Sequence, residues 1–181
     1  MDSNVIFSIF MCARNAEKTI NRAIDSVIFQ NCKNWELIMI DNGSEDKTWL
    51  LMQAAMERDS RIHGIHLEHG IGWPKGVSIC MEYAVGKYMT FLAADDFFVS
   101  PGSLYAVECV LSENPDIVFC GHMTVQLNKN MYNICNGIIP ERKIYQGKDK
   151  IFELFDIMTS VYYNSFFHFV SLEVLRKNKI D

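Results

Sequence analysis

What this chain lacks narrows its nature first. No apolar run much exceeds strand length in its 181 residues, so no transmembrane helix is expected. The opening Met1-Asp-Ser-Asn4 has no basic segment and the apolar stretch after it is short, so no signal peptide is expected either. Positive charge is scarce: 17 Lys and Arg face 22 Asp and Glu, and a net charge of -5 argues against nucleic acid as a main partner. None of the six cysteines (Cys12, Cys32, Cys80, Cys109, Cys120, Cys135) forms a C-x-x-C pair with another. Several sit in apolar patterns as small hydrophobes, which fits a reduced, cytosolic setting better than a disulfide framework. His63, His66, His69, His122 and His168 show no metal spacing, and His63 and His66 read as structural or surface residues of a strand. There is no Ser/His/Asp or Cys/His arrangement, no G-x-x-x-x-G-K-[ST] phosphate loop, no internal repeat and no linker.

What is present is a core. Apolar residues make up 49% of the chain and charged residues 22%, ordinary for one good-sized globular domain. Over the first two-thirds, apolar strand candidates alternate with helical stripes. Strands are expected at Val5–Met11, Trp35–Ile40, Ile62–Leu67, Tyr88–Leu92 and Ile117–Gly121. Trp35–Ile40 is apolar almost throughout, which suits a strand covered on both faces. Helices are expected from an N-cap at Asn15, after the Asp41-Asn-Gly-Ser44 turn to about Arg58, along Val77, Met81 and Ala84, and from Ser100-Pro101 to about Asn114. This alternation implies a mostly parallel, doubly wound α/β sheet with helices on both faces. Beyond it, Met123–Leu127 and Met131–Ile134 read as a hairpin, Lys148–Met158 as an amphipathic helix, Asn164–Ser171 as a strand and Leu172–Lys177 as the start of a helix. The aromatic stretch Val161–Phe169 reads as core first, with an acceptor-site lining or a face toward a membrane or partner as the alternatives.

Doubly wound sheets gather ligands at the carboxyl ends of their strands, and the polar segments of this chain fall there. Cys12-Ala-Arg-Asn15 follows the first strand, Asp41-Asn-Gly-Ser44 the second, Glu68-His-Gly-Ile-Gly-Trp-Pro-Lys75 the third and Asp95-Asp96 the fourth. Each has a plain reading: a turn with a helix cap at Ser44, a loop and cap at Arg14-Asn15, loop glycines at Gly70 and Gly72, a solvated Lys75, and a solvated loop at Asp95-Asp96. Adjacent carboxylates at a strand end repel each other unless something positive lies between them. A divalent cation holding phosphates is the usual solution.

In order and spacing these segments resemble the family 2 inverting glycosyltransferases of the GT-A fold, over about residues 5–121. Ser8-Ile-Phe-Met-Cys-Ala-Arg-Asn-Ala-Glu-Lys18 is similar to the family's opening strand and its Pro-x-Tyr-Asn. Ser26-Val-Ile-Phe-Gln30 resembles Ser-Val-x-x-Gln. Trp35–Thr48 resembles the second strand with its Asp-Asp/Asn-Gly-Ser-x-Asp-x-Thr turn, and Gly86–Asp96 resembles Gly-Glu-Tyr-x-x-Phe-Leu-x-x-Asp-Asp.

The resemblance implies a nucleotide-diphosphate-sugar donor, UDP-type favoured, and a glycan or lipid-linked acceptor in polysaccharide or glycolipid assembly. It implies that residues 1–121 form the nucleotide-sugar-binding half and 122–181 the start of an acceptor-side half of the same domain. Donor-binding residues would be Cys12, Ala13, Arg14, Asn15, Asp41, Gly43, Lys75 and Asp95, with Asp41 accepting a hydrogen bond from the base and Lys75 offsetting phosphate charge. Asp96 and Asp95 would hold Mg2+ or Mn2+. The implied location is cytoplasmic, with the inner membrane face and peripheral association as options; the oligomeric state stays open. The chain departs from the pattern at Cys12 and Arg14, which replace the proline and tyrosine, and at Ala93, which replaces the first acid of Asp-x-Asp. The family's catalytic base follows a segment resembling Phe169–Asp181, so the base is expected beyond Asp181, in a chain that binds donor without transferring sugar. Two alternatives share these features: a catalytically silent nucleotide-binding or interaction module, and a sugar-nucleotide nucleotidyltransferase. The latter calls for a glycine-rich basic loop after the first strand, where Cys12–Ala16 has no glycine.

Overall fold

The structure, a computed structural model, describes residues 5–120, 123–128, 131–136 and 168–177. The strands of the main unit are β1 (Phe7–Ala13), β2 (Trp35–Asn42), β3 (Ile62–Leu67), β4 (Tyr88–Phe91) and β5 (Ile117–Phe119), joined by β8 (His168–Ser171). They form one six-stranded sheet in the order β3-β2-β1-β4-β8-β5. β1 pairs in parallel with β2 and β4, and β2 in parallel with β3. β8 lies antiparallel to β4, pairing Val170 with Met89 and Ser171 with Tyr88. The chain also divides by compactness into Met1–Val118 with Phe169–Asp181, and Phe119–His168. In the second unit β6 (Met123–Asn128) and β7 (Met131–Asn136) form the expected antiparallel hairpin, Asn128 opposite Met131. The expected helix at Lys148–Met158 and the aromatic stretch up to Phe167 lie outside the described residues.

β2 explains the centre of the sheet. Trp35 to Asp41 are all buried, as an apolar strand must be when both its neighbours and both its faces are occupied. Alternate side chains serve opposite layers. Phe10, Ile38, Ile40 and Met89 pack with Cys80 of α3 (Trp73–Tyr83), with Ala84 just past its end and with Leu172, which opens α5 (Leu172–Lys177). On the other face Gly64, the register partner of Met39, approaches Met56 and Trp49 of α2 (Thr48–Arg58). Helix α1 (Ile20–Ile28) buries Ile20, Ala23, Ile24 and Val27. Helices therefore cover both faces of the sheet. Among the described residues no helix is long and apolar enough to cross a membrane.

A polar knot closes the opposite end of the sheet. Ser8 Oγ donates to Glu36 Oε1 at 2.6 Å, and that oxygen also accepts from Val85 N at 2.8 Å. Ser8 Oγ in turn accepts from Gly86 N at 2.9 Å. A Cβ on Gly86 would stand 2.6 Å from Ser8 Oγ and 2.8 Å from Ser8 N. Gly86→Ala must therefore push backbone apart in a buried corner, and about 3 kcal/mol of stability should be lost in urea unfolding.

Two helix starts differ from expectation. Asn15 is not an N-cap: it adopts φ 52, and α1 begins at Ile20. The backbone N–H groups of Asn15 and Glu17 are taken instead by side chains of the β2–α2 loop, and that of Ala16 by Thr48 at the start of α2, so the helix can start later. Ser100-Pro101 likewise precedes a turn, and α4 runs from Ser103 to Glu108. Ser100 Oγ accepts from Gly102 N, and the N–H of Leu104 is satisfied by Gln30 rather than by a capping hydroxyl.

Candidate donor site at the strand-end rim

The sheet order reverses between β1 and β4, so the crevice beyond their carboxyl ends is the topological switch point. Four loops converge on this rim. The first two are cross-stitched: Asn15 N donates to Ser44 Oγ (3.0 Å) while Asn15 Oδ1 accepts from Glu45 N (2.9 Å). Glu17 N donates to Asp46 Oδ2, and Lys47 N returns a bond to Glu17 Oε2. Thr48 Oγ1 accepts from Ala16 N at 2.7 Å. All five bonds join the Asn-Gly-Ser-Glu-Asp-Lys-Thr stretch to Asn15–Glu17, which is why so polar a loop is held in one conformation.

Asp41, at the end of β2, has no exposed side-chain surface. Its Oδ1 accepts from Ser44 N at 3.2 Å, and its Oδ2 lies 2.7 Å from His66 Nδ1. His66 is its register partner on β3, and the imidazole stacks on Trp49 with ring centroids 5.0 Å apart. Asn42 Oδ1 accepts from Ile71 N at 2.8 Å, tying the second loop to the third. Gly43, at φ 74, passes so close to the third loop that a Cβ there would sit 2.7 Å from Gly70 N. Arg14 flanks the same point, its Nη1 3.3 Å from where a Gly70 Cβ would stand.

The fourth loop carries Asp95, exposed, and Asp96, half-buried. One face of α1 fastens it. Arg22 and Ser26, four residues apart, share that face, and Gln30 follows just past the end of the helix. Arg22 Nη2 donates to the Asp95 carbonyl at 2.7 Å, with the guanidinium 4.6 Å over the Phe97 ring. Ser26 Oγ accepts from Phe98 N at 3.1 Å. Gln30, 1% exposed, donates to the carbonyls of Ser26 and Ser100 and accepts from Leu104 N. Gln30→Ala should cost about 2–3 kcal/mol by leaving buried backbone groups unsatisfied. Thermal unfolding checks the loss, and proteolysis around 95–102 should quicken.

The sequence-predicted residues fall in different places. Arg14 and Asn15 are exposed in the first loop, Gly43 forms the tight second turn, and Lys75 is exposed in the first turn of α3. Cys12 and Ala13 belong to β1 itself. Cys12 Sγ points toward α3, 3.1 Å from a Cβ position at Gly76, and burial, reinforced by the negative charge of Asp41, raises its thiol pKa. The residues unassigned from sequence are His66, Arg22 and the Ser26–Gln30 pair. The four-residue spacing was visible in the last; nothing local marks His66 as the partner of Asp41.

Among the described residues no group of three or more His, Cys, Asp or Glu could hold a metal. Asp95 and Asp96 offer adjacent carboxylates at an accessible loop, whereas the Asp46 carboxylate of the neighbouring Glu45-Asp46 pair is taken by Glu17 N and Thr48. That donor set fits a hard cation held by one or two carboxylates, with phosphate and water oxygens completing its shell.

The sheet order and the helices on both faces define a GT-A fold. The crystal structure of S. aureus TarS 1-349 in complex with UDP-GlcNAc superposes with a TM-score of 0.72 at 18% identity, over 97% of this chain and 48% of that one. The mannosyltransferase PcManGT from Pyrobaculum calidifontis, in complex with GDP-Man and Mn2+, gives a TM-score of 0.58 at 16% identity over 63% of this chain and 34% of that one. In sequence, the chain is 30% identical over 148 residues to the UDP-Glc:alpha-D-GlcNAc-diphosphoundecaprenol beta-1,3-glucosyltransferase WfgD of Escherichia coli, covering 82% of this chain and 56% of that protein. Residues 8–176 match the family described as Glycosyl transferase family 2. The chain belongs to that family. It spans about half the length of these two proteins, 56% of WfgD and 48% of the TarS chain.

Proposed function

We propose that this chain forms the donor-binding part of a glycosyltransferase that moves a sugar, with inversion, from a nucleotide diphosphate to a glycan or lipid-linked acceptor. The observation that carries the reading is the convergence of four stitched loops on the switch point, with an Asp-Asp pair on the loop that α1 fastens. The names of the similar proteins support a UDP-linked donor and a lipid-diphosphate acceptor: WfgD is a UDP-Glc enzyme acting on a GlcNAc-diphosphoundecaprenol, and TarS was crystallised with UDP-GlcNAc. The acceptor suggests work at the cytoplasmic face of a membrane.

In this reading the Arg14-Asn15 loop and the Gly43–Ser44 turn line the base and ribose, and a guanidinium at Arg14 stacks where the family has an aromatic ring. Asp96, with Asp95 beside it, holds Mg2+ or Mn2+, a choice supported by the Mn2+ complex of PcManGT. Such a cation supplies Lewis acidity to the leaving diphosphate. Arg22 keeps the Asp95 backbone in place, and Lys75 offers positive charge at the start of α3. Inversion requires a carboxylate to take the proton of the acceptor hydroxyl during in-line attack; no described residue is assigned that role.

Calorimetric titration with UDP, GDP, CDP and ADP, in Mn2+ and again in EDTA, tests the reading. UDP should bind most tightly, and much more weakly in EDTA than in Mn2+. Failure of every nucleotide to bind would sink it.

A further inference from the structure

The residue that meets the base is a different question from the one that orders it. Asp41 has 0% side-chain exposure, and each of its oxygens already accepts a bond from inside the protein. His66 has 41% side-chain exposure and its ring is fixed on two sides, by Asp41 at Nδ1 and by the Trp49 face. We infer that His66 is the base-reading residue of this rim and that Asp41 is a positioning residue acting through it. The ligand class is a pyrimidine with an imide N–H, as in uracil.

The chemistry follows from the donor and acceptor inventory. A carboxylate only accepts, so the 2.7 Å bond assigns the proton of the neutral ring to Nδ1. Nε2 is then a bare acceptor, held in one orientation. An imide N–H of uracil complements it; the N3 lone pair of cytosine opposes it. The pairing of Asp41 with His66 across adjacent parallel strands puts this acceptor at the carboxyl-end rim, beside the second and third loops. Sequence spacing conceals the arrangement because the two residues are 25 positions apart.

The inference rests on the nucleotide-binding reading above, and its test separates the two. UDP and CDP share ribose and diphosphate, so the ratio of their affinities, measured by calorimetry in Mn2+, isolates the base edge. The unaltered protein should favour UDP about tenfold, a difference of one well-placed hydrogen bond. His66→Phe keeps an aromatic ring for Trp49 but removes both nitrogens, and should bring the ratio close to one. Asp41→Asn is more telling. Ser44 N requires an oxygen at the Oδ1 position, so the new amide nitrogen faces His66 and donates to Nδ1. The ring proton then moves to Nε2, and the preference should invert toward CDP. A purely structural role for Asp41 would weaken both nucleotides alike. Thermal unfolding establishes that each variant folds; if Asp41→Asn does not fold, His66→Phe decides alone. Retention of the UDP preference in folded His66→Phe overturns the inference and leaves the donor site standing. Absence of any nucleotide binding by the unaltered protein overturns both.

Discussion

Gly43→Ala should destabilise the protein by on the order of 3 kcal/mol and weaken nucleotide binding at the same time. Two costs combine. The backbone stands at φ 74, where a Cβ meets its own carbonyl, worth roughly 1–2 kcal/mol. The added atom would also lie 2.7 Å from Gly70 N and 2.9 Å from the His69 carbonyl carbon, so backbone rather than a pliable side chain must move. Overpacking of that kind adds about 1–3 kcal/mol. The displaced third loop is the one that Asn42 holds through Ile71 N, so the rim loses its shape as the fold loses stability. Urea unfolding measures the first effect and calorimetry the second. Gly102→Ala is the control: its nearest neighbour would be 3.6 Å away and its φ is -90, so the change should stay within about 1 kcal/mol.

Asp96→Ala should act in the opposite manner, with little effect on stability and a large one on ligand. The half-buried carboxylate sits on a loop anchored through its backbone and neighbours, by Arg22, Ser26 and Gln30. Its removal should lower UDP affinity in Mn2+ by about a hundredfold, the loss of roughly 3 kcal/mol. In EDTA the sign should change. Without a cation the acidic pair repels the diphosphate, so deleting one charge should leave residual binding equal or slightly stronger. A surface aspartate with no part in binding would show neither effect.

Much of the fold can be read in the sequence because its strands are continuous apolar runs. Ile62–Leu67 is found where the pattern puts it, and β2 is buried on both faces as its composition requires. The order of polar segments at four successive strand ends equally marks the rim. What escapes is whatever depends on partners distant in sequence. Asn15 has the chemistry of an N-cap, yet its amide and side chain bond Ser44 and Glu45, 29 and 30 residues on. Ser100-Pro101 looks like a helix start, yet Gln30, 70 residues earlier, donates to the Ser100 carbonyl and accepts from Leu104 N, the kind of group a cap would satisfy. His66 reads as a strand residue because its pairing with Asp41 exists only once β2 and β3 lie side by side. Arg22 gives no local sign that it holds the Asp95 carbonyl, since that bond joins positions 73 apart.

In the proposed function the four loops at the carboxyl ends of the strands form one nucleotide-sugar site with its cation at the Asp95-Asp96 pair. Crystals grown with UDP and Mn2+, with diffraction recorded at the manganese absorption edge, test it most directly. The expected result is an anomalous peak within bonding distance of an Asp96 carboxylate oxygen, a diphosphate on the same ion, and a uracil ring beside Arg14 and His66. A manganese peak or a nucleotide elsewhere on the chain, with this rim empty, would contradict it.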